Sequence, residues 1–295
     1  HHNLFKIPLI LITLIFGLPS VGHTQNVSYR FQQFSVHNGL PSQVVYNILE
    51  DQDGFLWICT DAGISRFDGN NFRNFTTFDS LGENEILEMY RDSKNRIWFS
   101  PFYGNLSYYQ NGRFNSPYNN SFVKNIKAGS SIRHFIEDNH RNIFLNTDSE
   151  QGNVFIIDSN DQFRKLDSPN TFNNKSPIVK ISLLSDLSAL FTTADNHLFQ
   201  YKDNNFVPYR TPFQKEFSVI TSSDARQTYF LTADGIYDNK NFKLLLPIQK
   251  VPEPKFITSI NRDQHQNIWM SHSKLNTLVY VHQNGQWRDY IPILK

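Results

Sequence analysis

A single cysteine, Cys59, in 295 residues leaves no partner for an internal disulfide and too few thiols for a cysteine-based metal site. With 28 Lys and Arg against 27 Asp and Glu, the chain lacks a net field of either sign. That balance argues against a nucleic-acid or anionic-lipid partner. Glycine and proline are scarce, at 13 each, which excludes collagen-like and low-complexity chains. No apolar run reaches the ~20 residues that span a bilayer as a helix. Nor is there a G-x-S-x-G, P-loop or G-x-G-x-x-G segment, or an H-x-x-x-H or H-E-x-x-H spacing. Nucleophilic catalysis, phosphate cradling and a preformed metal site therefore have no motif behind them, and no cofactor is expected.

What is abundant is aromatic: 15% of the chain, with 26 Phe and 13 Tyr. Aromatics among many Asn and Asp suit short strands joined by tight turns. The N-terminus differs. Lys6 precedes an apolar run over residues 7–18 and the exit Pro19-Ser20-Val21-Gly22. This reads as a secretory signal over residues 1–24, with an uncleaved anchor as the alternative, and places residues 25–295 in the periplasm. No Cys follows the run, so a lipoprotein route is not indicated. The chain opens on His1, not Met, and is read as a fragment or as carrying an incomplete start.

The fold is legible in a repeat. VVYNILEDQDGFLWICTDAGISRFDGNNFRNF (44–75) and EILEMYRDSKNRIWFSPFYGNLSYYQNGRF (85–114) share one plan: apolar strand, Asp, polar turn, apolar-Trp, loop, alternating strand, then Asn/Gly and Phe. Four further copies follow, so that an aromatic anchor recurs at Trp57, Trp98, Phe144, Phe191, Phe230 and Trp269. The gaps of 41, 46, 47, 39 and 39 residues fall in the range of four-stranded propeller blades. Six places before each anchor stand Asp51, Asp92, Asp138, Ser185, Asp224 and Asp263. The first unit divides into strands over residues 44–50, 55–60, 64–67 and 72–76, with Asp53-Gly54 and Asp68-Gly69-Asn70-Asn71 as hairpin signals. No stretch keeps a helical period over a dozen residues. An all-β propeller of four-stranded blades follows. Residues 29–35 look like an orphan fourth strand. They predict a seven-bladed ring whose last blade is truncated, or else six blades with an extra strand.

These residues resemble a known family. GLPSQVVYNILEDQDGFLWICTDAGISRFDG closely resembles the two-component regulator propeller repeat, and FQQFSVHNGL resembles the lead-in to its first blade. The segment ending RDSKNRIWFSPFYGNLSYYQNG is a further copy. The resemblance covers nearly all of residues 29–290, strongly in units 1, 2 and 6 and weakly in units 4 and 5. It implies the periplasmic sensor part of a membrane histidine kinase or hybrid two-component regulator, with membrane and kinase segments beyond residue 295. This chain carries neither of those segments.

The bland alternatives weigh heavily for single residues. Asp51-Gln52-Asp53-Gly54 suggests a calcium loop, but Ile58-Cys59-Thr60 cannot continue its ligand set, and a capped hairpin fits better. A sialidase-type Asp box fails because Asp53 and Gly54 are adjacent. The aromatic anchors read as core between blades rather than as a sugar-stacking surface, and Cys59 as a small buried hydrophobe. His140 and His265 fall at matching turns of separate blades. His134 lies on a first strand, His197 and His282 at strand ends, and His272 in a loop.

A four-stranded meander puts all second-to-third loops on one face, together with the links between units. The links over residues 116–130, 165–176, 208–216 and 246–255 are long, and long loops on a rigid scaffold tend to carry binding. Gln43, Asp61, Phe102, Tyr103, Asp148, Asp195, Asp234 and His272 are expected to line the mouth there. Such a set suits an oligosaccharide or small polar ligand, and two propellers could also pair. Three functions stay open: a sensor, an exported binding scaffold, or a propeller lyase or glycosidase with a dispersed site.

Overall fold

The structure is a computed structural model that describes residues 32–289, apart from 104, 150–151, 168–175, 214–216, 223–226, 251–256, 264–266, 273–277 and 284–285. The expected signal segment lies outside the described residues. The described chain, from Gln33 onward, forms one compact unit.

Six four-stranded antiparallel sheets follow one another, each a simple meander. Blade 1 holds β1 (Val45–Glu50), β2 (Leu56–Thr60), β3 (Gly63–Phe67) and β4 (Phe72–Phe75). Blade 2 holds β5 (Ile86–Arg91), β6 (Ile97–Pro101), β7 (Ser107–Gln110) and β8 (Arg113–Asn115). Blade 3 holds β9 (Ile132–Glu137), β10 (Ile143–Thr147), β11 (Val154–Ile157) and β12 (Phe163–Leu166). Blade 4 holds β13 (Ile178–Leu183), β14 (Ala189–Thr193), β15 (Leu198–Lys202) and β16 (Asn205–Pro208). Blade 5 holds β17 (Phe217–Thr221), β18 (Thr228–Thr232), β19 (Gly235–Asp238) and β20 (Leu244–Pro247). Blade 6 holds β21 (Ile257–Arg262), β22 (Ile268–His272), β23 (Leu278–Gln283) and β24 (Gln286–Asp289). The first strands of neighbouring blades pack side by side, as in β1 with β5, β5 with β9, and β9 with β13. They are the inner strands.

Turn chemistry explains the meanders. Asn111 and Gly112 both take positive φ, as do Asp203 and Asn204, which gives the turn twist that matches two antiparallel strands. The repeated Asp explains its own spacing. Asp51 Oδ1 accepts from the backbone N–H of Asp53 and Phe55, and its Oδ2 accepts from the Trp57 indole at 2.7 Å. Asp92 and Asp263 bind Trp98 and Trp269 in the same way. In blade 3 the anchor is Phe144, which has no donor, and the Asn142 amide takes the place of the indole on Asp138. Asp224 lies outside the described residues.

Packing runs between blades. Trp57, Trp98, Phe144, Phe191 and Phe230 are fully buried. Each seam has its own apolar cluster, with ten buried residues between blades 1 and 2, twelve between 2 and 3, and eleven between 3 and 4. Among the described residues the seam between blades 4 and 5 holds four, with six partly buried apolar residues packed against them. On the opposite side, the short-turn face is tied by Ser93 to Glu137, Asn139 to Leu187 and Ser185 to Asn239.

The lead-in is described only from Gln32 onward. Residues 29–31 lie outside the described residues and residues 32–35 form no strand, so the orphan strand of a seventh blade is not seen among them. Ser35 and Asn38 instead close a short 3-10 turn over Val36–Asn38, and Phe34 packs edge-on against Phe67 and Phe72 of blade 1. The link over residues 116–130 also contains a one-turn helix, α1 (Ser121–Lys124), capped by the Asn120 side chain.

Gly63 and Gly235 are each sterically required. Gly63 sits at φ +124, and a Cβ there would lie 2.5 Å from the Phe75 carbonyl oxygen. Gly235, at φ +153, occupies the matching position in blade 5 against the Leu246 carbonyl. Gly63→Ala or Gly235→Ala is expected to cost about 2–3 kcal/mol, combining positive φ with a backbone clash. The urea midpoint should fall with the slope m unchanged.

Candidate functional site

The second-to-third loops are built around a buried threonine. Thr60 Oγ1 donates to the Gly63 carbonyl and Thr232 Oγ1 to Gly235, while the loop N–H of Ala62 or Asp234 donates back; Thr193 Oγ1 accepts from the His197 N–H and gives its own proton to Asp195. Thr147 reaches the Asn153 carbonyl in the same manner. The spacings TDAG and TADG carry that signal in the sequence, although the aspartates alone drew attention.

The residues expected at the mouth fall at the loop-side ends of their blades' strands. Asp61, Asp148, Asp195 and Asp234 are exposed in the second-to-third loops, and Gln43 is exposed just ahead of β1. Phe102 and Tyr103 follow β6, exposed, with rings edge-to-face at 4.5 Å. His272 is the last residue of β22 rather than a loop residue. The aspartates are not equivalent, however. The Asp195 carboxylate accepts from Thr193 Oγ1 at 2.5 Å and pairs with His197 Nδ1 at 3.1 Å. The Thr193 hydroxyl, with His197 and Ser176 beside it, holds that carboxyl well below the usual range. Its role is to brace its own turn.

A second set of polar groups lies on the inner strands. Asn47 Nδ2 donates to Glu88 Oε1 at 2.9 Å, joining β1 to β5, and Tyr46 OH donates to Glu85 Oε1 at 3.0 Å. On β9, His134 Nδ1 lies 3.0 Å from Asn146 Oδ1. On β13, Lys180 Nζ donates to the Val219 carbonyl of blade 5 at 2.9 Å. Asn47, Glu88, His134, Lys180 and Ser259 occupy one structural slot, immediately after a register shift that five of the six inner strands share. The bulge turns a polar side chain inward at a position flanked by apolar neighbours. The signal available in sequence was the polar residue third in five of the six inner strands, visible only once the strands are aligned.

Burial tunes these groups. It pushes the Glu88 carboxyl up to about 8, against the pull of the Asn47 amide, and pulls the Lys180 ammonium down to about 8. Near neutral pH Glu88 is therefore an uncharged hydrogen-bonding group and Lys180 is mostly cationic. Burial, with Glu88 adding to it, also raises the Cys59 thiol, which makes it inert rather than reactive. Among the described residues no group of three or more His, Cys, Asp or Glu is placed to hold a metal ion. No helix among them is long and apolar enough to cross a membrane.

Consecutive four-stranded meanders with adjacent inner strands define a β-propeller. The first blade is more specific: residues 39–62 match the family model described as Two component regulator propeller. No curated protein sequence matches the chain. Among solved structures, the chain is similar to the extracellular domain assigned to the hybrid two component system BT3049 of B. thetaiotaomicron, at 16% identity and TM-score 0.57. That match covers 84% of this chain and 35% of the other. The extracellular domain assigned to the hybrid system BT4673 of the same organism matches at 19% identity and TM-score 0.55, over 84% of this chain and 37% of that one. This chain thus spans about a third of those extracellular domains. Virginiamycin B lyase from Staphylococcus aureus is similar at 16% identity and TM-score 0.58, over 84% of both chains. The propeller fold is common to all three.

Proposed function

We propose that this propeller is an exported recognition domain of a two-component signalling protein, working in the periplasm and coupled to a histidine kinase. The match of residues 39–62 to the regulator propeller repeat carries this reading, because the fold alone is shared by sensors and a lyase. Its loop face would meet the ligand, with the Phe102–Tyr103 pair, Gln43 and Asp61 of kinds suited to an oligosaccharide or small polar metabolite. Signalling would then be a population shift: the ligand, or contact between two propellers, favours one of two arrangements of the receptor.

Two measurements test this. The coding frame should continue beyond residue 295 into a membrane-spanning segment and a histidine kinase, and a stop codon soon after that position would overturn the proposal. Alkaline phosphatase fused after residue 289 should be active in a bacterial host, because its disulfides form only in an oxidising compartment. An inactive fusion would remove the exported reading.

A further inference from the structure

Two seams, between blades 2 and 3 and between blades 3 and 4, share a polar stitch that the next seam lacks. In blade 2 the residue opposite the inner-strand slot is Ser100, whose Oγ donates to the carbonyl of Ile132, the first residue of β9, at 3.1 Å. In blade 3 the same position is Asn146, whose Nδ2 donates to the carbonyl of Ile178, the first residue of β13, at 3.0 Å. In blade 4 it is Thr192, opposite Lys180. The matching carbonyl, that of Phe217 at the start of β17, is instead taken by Asn196 Nδ2 at 3.3 Å. Thr192 Oγ1 is left buried without a hydrogen bond, and so is Ser182 Oγ, two residues along from Lys180 on the same face. Among the described residues Lys180 Nζ has a single hydrogen-bond partner, the Val219 carbonyl, and an ammonium has three N–H donors.

The seam between blades 4 and 5 is lined by partly buried aromatics, Tyr209, Phe213, Phe217, Tyr237 and Phe242. A cleft of about 290 Å³ lies there, lined by Leu198, Phe199, Pro208, Tyr209 and Phe217 with Arg210 among them. Leu198 stands directly opposite Thr192 in the β14–β15 pairing, and Phe217 is two residues before Val219. Thr192 is thus the cross-strand neighbour of a residue that lines the cleft, and their side chains share one face of blade 4.

We infer that the seam between blades 4 and 5 binds a small organic acid, its carboxylate meeting Lys180 Nζ and Thr192 Oγ1 and its apolar body lying against Leu198, Tyr209 and Phe217. A buried hydroxyl without a partner costs about 1–3 kcal/mol, and a carboxylate oxygen placed there recovers it. The same oxygen pair accepts from the ammonium, and the charge-assisted bond is the stronger kind. Desolvation already weakens the charged form of Lys180, and an adjacent anion restores it. Arg210 adds a second cation at the cleft. The volume suits one ring with a short side chain, which distinguishes this site from the loop face. The inference stands on the seam alone and holds whether or not the propeller signals.

The test titrates the folded protein with phenylacetate at pH 7, with phenylacetamide as the uncharged counterpart, reading amide and methyl shifts in NMR spectra. Phenylacetate should bind saturably, shifting Thr192, Leu198 and Phe217, with the amide at least about tenfold weaker. Lys180→Met should weaken the acid by about tenfold or more, and Thr192→Val by about threefold to tenfold. Thr192→Val keeps the shape and removes an unsatisfied hydroxyl, so its melting temperature should hold or rise, which separates lost binding from lost folding. Equal binding of acid and amide, undiminished binding by either variant, or no shift in the seam at 50 mM phenylacetate would each overturn the inference.

Discussion

Asp92→Ala is expected to destabilise the propeller by about 4 kcal/mol, the largest effect of any single carboxylate in the described chain. Asp92 has no exposed side-chain surface, and four donors converge on it. Its Oδ1 accepts from the Lys94 and Arg96 backbone N–H groups, at 3.0 and 2.8 Å. Its Oδ2 accepts from Arg96 Nε at 2.6 Å and the Trp98 indole at 2.8 Å. Arg96 is itself buried, lying over the Trp98 ring at 4.9 Å and reaching Asp161 of blade 3 at 2.8 Å. Truncation therefore strands a buried cation and a buried indole N–H together and releases the hairpin turn. Asp92→Asn should be nearly as harmful, because an amide turned toward Arg96 and Trp98 sets donor against donor. Removing the cation as well, in Asp92→Ala/Arg96→Met, should recover at least about 1 kcal/mol of the loss, since a matched apolar replacement has no charge to desolvate. Urea unfolding of the four proteins decides this: a single variant within about 1 kcal/mol of the parent, or a double variant worse than the single, would defeat the account.

Asp92 also shows why so much of the fold could be read from the sequence. The interaction that sets the six-residue spacing is local: a carboxylate, two backbone N–H groups two and four residues on, and an indole six residues on. Local chemistry repeats in sequence wherever it repeats in space. The first-blade strands accordingly fall within a residue of their expected limits, and Trp57 and Trp98 are the core anchors their spacing implied. The placement of Asp61, Phe102, Asp148 and Asp234 between second and third strands was legible too, because it follows from the strand limits alone.

What escaped reading lies across seams. Glu88 and Asn47 are 41 residues apart, and Lys180 and Val219 are 39 apart, so no window of sequence joins them. The role of Asp195 was hidden for the opposite reason. Its partners, Thr193 and His197, are so close that the carboxylate serves the turn itself. The broken stitch at Thr192 is less visible still, since threonine there satisfies every pattern and only the position of blade 5 leaves it unpartnered.

Glu88 yields the second large effect, one that depends on pH. In the unfolded chain this carboxyl ionises near its ordinary value of 4.5, while in the fold burial holds it protonated up to about 8. Between those values the folded state keeps a proton that the unfolded state has released, so stability falls as pH rises, by about 1.4 kcal/mol per unit for this one group. The loss begins near pH 4.5, is complete near pH 8 and amounts to a total on the order of 5 kcal/mol. Glu88→Gln stays neutral throughout and can still accept from Asn47 through its amide oxygen. The variant and the parent should therefore match at pH 4.5 and diverge above it, with the variant more stable by several kcal/mol at pH 8.5. Groups such as Lys180, whose ammonium burial also brings to about 8, titrate alike in both proteins and cancel in the difference. Stability measured by urea unfolding at half-unit steps from pH 4.5 to 9 traces the curve. A flat difference would mean that Glu88 ionises at its ordinary value, and that the slot it shares with His134 and Lys180 is wet rather than enclosed.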